Sequence, residues 1–263
     1  MKALLAKLTV EQWRAIDAQY IDRSLPGGRA AVVLLTVALS LALQRYFGKP
    51  GFIAGVDGAR ELFASWPQPG LYPHLYWALF KLLSYFVLPA LCIKLVLREN
   101  IGDYGLGKKT SRGAWLLYFG MLALVIPMAY GASFTDGFVR TYPKYREAAD
   151  SLWGLLAWEL AYGSQFFLLE FFLRGFMIFA LARHVGALSI FIMVVPYAMM
   201  HYSKPPAECF GSILAGIALG TIALRTRSIY GGVFVHCGVA WSMDLFSLWQ
   251  QGKLQRLLEA GGG

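Results

Sequence analysis

The residues of this sequence best able to do chemistry are ionisable side chains set inside long apolar runs. The run from residue 151 to 182 holds Glu159, Glu170 and Arg174. Glu159 and Glu170 are eleven residues apart, about three helical turns, so both fall on nearly one face. Arg174 follows Glu170 by four residues and can reach back to it. The next run ends in Tyr197-Ala-Met-Met-His201, another opens at Glu208, and the last carries His236 and Asp244. An ionisable group in lipid costs several kcal/mol unless it is paired, which makes each of these a functional candidate.

A depth count asks whether they can meet. From the end marked by Arg183 and Arg225, at ~1.5 Å per residue, Glu170 lies roughly 18 Å in, with His201 and Asp244 at about 22 Å. Glu208 falls at about 25 Å and His236 at about 10 Å, a gap that helix tilt can close. Four runs therefore aim polar groups at one layer.

Plainer explanations stand beside this one. Glu170 and Arg174 can be a self-neutralising pair. His201 near a run's end suits a solvated interfacial histidine, and Glu208 a first-turn acid favoured by the helix dipole. Asp244 can bond Ser242 or Ser247, Glu159 reads as structural, and Lys81 can snorkel or pair within the bundle. Glu170, His201 and His236 would make a zinc site with an open position. However, there is no His-Glu-x-x-His, and the three ligands come from separate runs. Neither metal nor cofactor is expected.

The elements that must position these groups are transmembrane helices. The chain is 57% hydrophobic and 15% charged, well below the roughly one-quarter charged fraction of soluble domains. Its mean hydropathy is +0.52. At roughly 20 residues per span, the expected fold is an all-α polytopic bundle of about seven spans with an N-terminal interfacial helix. The net charge of +9 sits mostly in loops, where anionic lipid headgroups account for it and nucleic acid need not. Cys92, Cys209 and Cys237 form no Cys-x-x-Cys pair and read as buried thiols.

Four segments follow. Residues 1–28 form an amphipathic interfacial stretch using Leu4, Leu5, Leu8, Trp13 and Ile16. Lys7, Glu11, Arg14 and Asp17 interrupt any signal-peptide core. Residues 29–150 hold three accessory spans, and residues 151–250 hold the four runs that carry the candidate site. Gly211, Gly216 and Gly220 in the sixth span suit close helix packing. Residues 251–263 form a flexible tail ending in Gly261, Gly262 and Gly263. Loop cations, among them Lys108, Lys109 and Arg112, tip the bias slightly toward a cytoplasmic N-terminus.

Leu169-Glu170-Phe171-Phe172-Leu173-Arg174-Gly175 resembles the Glu-Glu-x-x-x-Arg motif of the CPBP family. That family includes type II CAAX prenyl proteases and bacteriocin-processing proteins. Tyr197-x-x-x-His201 is similar to its Phe-x-x-x-His motif, and His236 to the histidine of its His-x-x-x-Asn motif. Two positions depart: the first Glu is Leu169 and the Asn is Ala240. The pattern looks closest to the myxosortase-like branch, associated with removing C-terminal sorting helices in bacteria.

The resemblance implies a metal-independent, glutamic-type intramembrane endopeptidase in the bacterial cell membrane, acting on a membrane-embedded peptide or protein. In it Glu170 is the general base, His201 holds water or protonates the leaving amine, and His236 stabilises the oxyanion. Arg174 fixes Glu170, while Glu208 and Asp244 support the histidines. A non-catalytic scaffold that keeps the protease fold is the alternative, favoured by Leu169 and Ala240. A small-solute or proton-coupled transporter is a third, against which no inverted repeat is visible.

Overall fold

The structure, a computed structural model, describes residues 6–107 and 111–261. Leu4, Leu5, Lys108, Lys109, Gly262 and Gly263 lie outside the described residues. The elements that matter are α1 (Val10–Tyr20), α2 (Gly28–Tyr46), α3 (Pro69–Leu97), α4 (Arg112–Ala132) and α5 (Leu152–Val185). They continue with α6 (Leu188–Met199), α7 (Pro206–Thr226), α8 (Tyr230–Gln250) and α9 (Lys253–Gly261). Among the described residues there is no strand, only an isolated antiparallel bridge between Leu106 and Ser228. The protein is an all-α polytopic membrane bundle. Among the described residues, six helices (α2, α3, α4, α5, α7 and α8) are long and apolar enough to cross a bilayer.

The expected fifth span is shorter than a crossing. Helix α6 has 12 residues, a rise of ~18 Å against a hydrocarbon core of about 30 Å. Its ends explain this. Gly186 enters at φ +56°, a left-handed conformation that suits glycine. Pro196 removes a backbone donor near the far end, and the chain turns from Met200 to Ser203. His201 therefore sits in a turn rather than on a helix face.

The chain divides into two compact units, each drawing on three stretches of sequence. The first comprises Met1–Ser40, Tyr85–Leu116 and Leu169–Val233. Helix α1 is docked there by specific bonds. Trp13 Nε1 donates to Thr221 Oγ1 at 3.2 Å, and the Tyr20 hydroxyl donates to the Leu224 carbonyl at 2.8 Å. Ile16 is fully buried beneath them. Asp17 Oδ1 accepts the Ala187 N–H at 2.7 Å, so α1 caps the turn that launches α6. Glu99 joins Arg29 and Arg183 in ion pairs and accepts the Tyr104 hydroxyl at 2.5 Å.

Small residues set the close helix approaches in this unit. A Cβ at Gly216 would lie 3.0 Å from Val194, and one at Gly220 3.0 Å from Ile178 and Ile190. Gly211 meets nothing within 4 Å, so only two of the three glycines on α7 serve packing.

The second unit comprises Leu41–Ser84, Leu117–Leu168 and Phe234–Gly263. Its core gathers Leu71, Tyr145, Leu155, Trp158, Tyr162, Ala240 and Leu248. Trp158 and Tyr162 stack at 4.9 Å between centroids, a contact worth about 0.5–1.5 kcal/mol beyond area burial. The expected flexible tail is helical over α9, where Leu254 and Leu257 pack on this core.

Candidate active site

Helix α5 changes its winding where the chemistry is expected. It is α-helical to Glu170, π-helical over Phe171–Ile178, and α-helical again from Phe179. A π-helical stretch is rare and often marks a functional position. All eight of its residues are buried, Arg174 among them.

Glu170 and Arg174 form an ion pair there. Arg174 Nη1 lies 3.0 Å from Glu170 Oε1, with the two side chains 0% and 1% exposed. Removing two such charges from water costs several kcal/mol per ion, so further contacts must contribute. Tyr197 on α6 supplies one: the Arg174 guanidinium carbon sits 4.1 Å from the centroid of its ring. A desolvated cation–π contact contributes about 2 kcal/mol. The other face of the carboxylate meets bare backbone. A Cβ built at Gly232 would fall 2.2 Å from Glu170 Oε2.

Tyr197 also fixes His201. Its carbonyl lies 2.8 Å from His201 Nδ1, and the two rings meet edge to face at 4.7 Å. The carbonyl can only accept, so Nδ1 carries a proton and donates to it. The turn that follows is closed by the Lys204 N–H donating to the His201 carbonyl at 2.9 Å. Lys204 Nζ pairs with Glu208 Oε1 at 3.0 Å. One unit thus holds Glu170, Arg174, His201 and Glu208.

His236 and Asp244 belong to the second unit, on α8. The His236 ring lies flat against Phe166, 5.5 Å between centroids and 5° between planes. Asp244 is fully buried and accepts from Trp158 Nε1 at 2.7 Å. Ser242 and Ser247, the partners considered for it from sequence, donate instead to the Gly238 and Tyr142 carbonyls. Trp241 Nε1 donates to the Glu159 carbonyl at 3.1 Å, and Lys81 Nζ to Gln165 Oε1 at 2.8 Å. Among the described residues, no group of three or more His, Cys, Asp and Glu side chains is placed to hold a metal ion.

Residues 151–242 match the family model described as type II CAAX prenyl endopeptidase Rce1-like.

This is the protease family to which the motifs point, and the match spans all three of them. No curated protein and no solved structure matches the chain. Within the matched Rce1-like segment lie Glu170, Arg174, Tyr197, His201, Glu208, Gly232 and His236, while Asp244 falls two residues beyond. The two departures from the family motifs have clear settings. Leu169 is buried, and Ala240 belongs to the apolar cluster around Trp158 and Tyr162.

Sequence reasoning missed three participants. Tyr197 was legible only as a motif position, though its ring and carbonyl hold Arg174 and His201. Gly232 precedes His236 by one helical turn, a spacing that hints at a shared face. Trp158 gave no signal as the donor to Asp244, because 86 residues separate them.

Proposed function

We propose that this chain is an intramembrane endopeptidase that hydrolyses a peptide bond of a membrane-anchored substrate, with Glu170 activating the water. The observation that carries this reading is the Glu170–Arg174 pair. It is buried, braced by Tyr197, and lies inside the segment matched by a protease family. A purely structural pair can face its partner anywhere on the helix. This one starts a π-helical turn and presents its second carboxylate oxygen to an uncovered glycine.

In the proposed reaction, Glu170 takes a proton from water as the water oxygen attacks the scissile carbonyl carbon. Arg174 keeps the carboxylate aimed. His236 donates to the oxyanion of the tetrahedral intermediate. Glu170 then passes the proton it took from water to Nε2 of His201, whose Nδ1 is held by the Tyr197 carbonyl. Nε2 delivers it to the leaving amine, so that both groups return to their starting states. Glu208 supports the site by tying Lys204 across the turn that bears His201. Asp244 supports it by anchoring α8 to Trp158.

The family description implies a substrate with a lipidated C-terminal peptide. A C-terminal sorting helix in a bacterial cell membrane, as in the myxosortase-like branch, is the narrower proposal. In the test, a membrane-anchored reporter is co-expressed with Glu170→Ala, His201→Ala and His236→Ala. Each variant is expected to accumulate normally in the membrane and leave the reporter intact. Cleavage by all three sinks the assignment.

The apolar setting of Ala240 favours a second reading, a non-catalytic scaffold that retains the protease fold. Reporter that co-purifies with the wild type uncleaved, and equally with the three variants, identifies that case.

A further inference from the structure

We propose that Gly232 is a positioning residue for Glu170, its missing side chain leaving room for the carboxylate where it pairs with Arg174. The inference rests on the assignment of Glu170 as the base and adds the element that aims it. One oxygen of the carboxylate, Oε1, is held by Arg174 at 3.0 Å. The other faces Gly232, where a Cβ would fall 2.2 Å from Oε2 and 2.7 Å from the carboxyl carbon. Real Cβ atoms do not approach so closely, so alanine must displace the carboxylate.

The displaced group is the far end of a flexible side chain, and the backbone need not move. A different rotamer relieves the clash by moving the carboxylate from its place against Arg174, whose guanidinium lies against the ring of Tyr197. Gly232 is also well placed to act as a stop. It lies in the first turn of α8, and the residue before that helix is pinned by the Ile229 N–H donating to the Gly105 carbonyl at 2.8 Å. Gly105 itself sits at φ +77°, where a Cβ would strike Ile229 at 2.6 Å. The stop is therefore fixed from behind.

The test uses the full-length protein in lipid nanodiscs, with five variants. Gly232→Ala is expected to lower kcat by ~100-fold, as for a group displaced by about 1 Å, with KM within about twofold of wild type. Gly211→Ala, whose Cβ meets nothing within 4 Å, controls for alanine in a membrane helix and is expected to match wild type. Glu170→Asp withdraws the carboxylate by one methylene. The double variant Glu170→Asp/Gly232→Ala should therefore be no slower than Glu170→Asp alone, a non-additivity that a merely structural defect does not produce.

An activity-independent readout separates this inference from the protease reading. The infrared carboxyl band of Glu170, assigned by its loss in Glu170→Gln, is expected to shift in frequency in Gly232→Ala and not in Gly211→Ala. A shifted band in a protein that cleaves nothing supports the positioning and removes the protease. An unshifted band, or wild-type kcat in Gly232→Ala, overturns the positioning while leaving the protease intact. If Gly232→Ala alone fails to fold, recovery of folded protein in the double variant assigns the clash to Glu170. Failure of both overturns the inference.

Discussion

The guanidinium carbon of Arg174 lies 4.1 Å from the centroid of the Tyr197 ring, so a cation on α5 is capped by an aromatic on α6. The same tyrosine accepts from His201 through its carbonyl. Ring and carbonyl thus couple two candidate catalytic groups through one residue. Substituting the ring leaves the carbonyl in place, which allows the two roles to be tested apart.

Tyr197→Phe keeps the aromatic face and is expected to retain activity near wild type. Tyr197→Leu removes it and should cost about 2 kcal/mol of stability, read as a lower unfolding temperature in detergent, together with slower cleavage. Equal behaviour of Phe and Leu at 197 contradicts the cation–π account.

Arg174→Met leaves the Glu170 carboxylate buried without its cation. The expected penalty is about 3–5 kcal/mol, measured by thermal unfolding in detergent. Pairing the substitution with Glu170→Gln should recover most of the loss, since the uncompensated charge is then gone. No recovery in the double variant means that the pair is not the interaction lost.

The broad fold was legible because it follows from composition. Long apolar runs such as those forming α2, α4 and α8 have no alternative to crossing a bilayer as helices. Glu170 and Arg174 were legible because i, i+4 spacing is local. The length of α6 was not, although Gly186 and Pro196 mark its two ends, because an apolar run and a crossing helix look alike in sequence. Contacts between distant residues were beyond reach altogether. Asp17 caps the start of α6 from 170 residues away, and nothing near either residue signals it. Gly232 is the same kind of case, since its role is defined by a side chain on another helix.

The Asp17 contact gives a prediction of its own. Asp17→Ala leaves the Ala187 N–H without its acceptor and should cost about 1 kcal/mol, as other lost caps do. Because α6 leads to Tyr197 and His201, the variant is expected to show faster hydrogen exchange over residues 187–201. Unchanged exchange there means that α1 is not what fixes the start of α6.

Asp244 and Trp158 separate support from catalysis. Trp158→Phe removes the donor to a fully buried carboxylate and should cost about 1–3 kcal/mol. Asp244→Asn keeps an acceptor for that N–H and should retain most activity. Loss of all cleavage in a stable Asp244→Asn means that the charge itself acts in the reaction.

The central claim, that Glu170 activates water against a peptide bond, is tested most directly by cleaving a synthetic membrane-anchored peptide in proteoliposomes made with heavy-oxygen water. Mass spectrometry of the new C-terminus reports the source of its oxygen. The account predicts one heavy oxygen in the wild-type product and a rate at least ~100-fold lower for Glu170→Gln, as for loss of a general base. A Glu170→Gln protein that cleaves at the wild-type rate contradicts it.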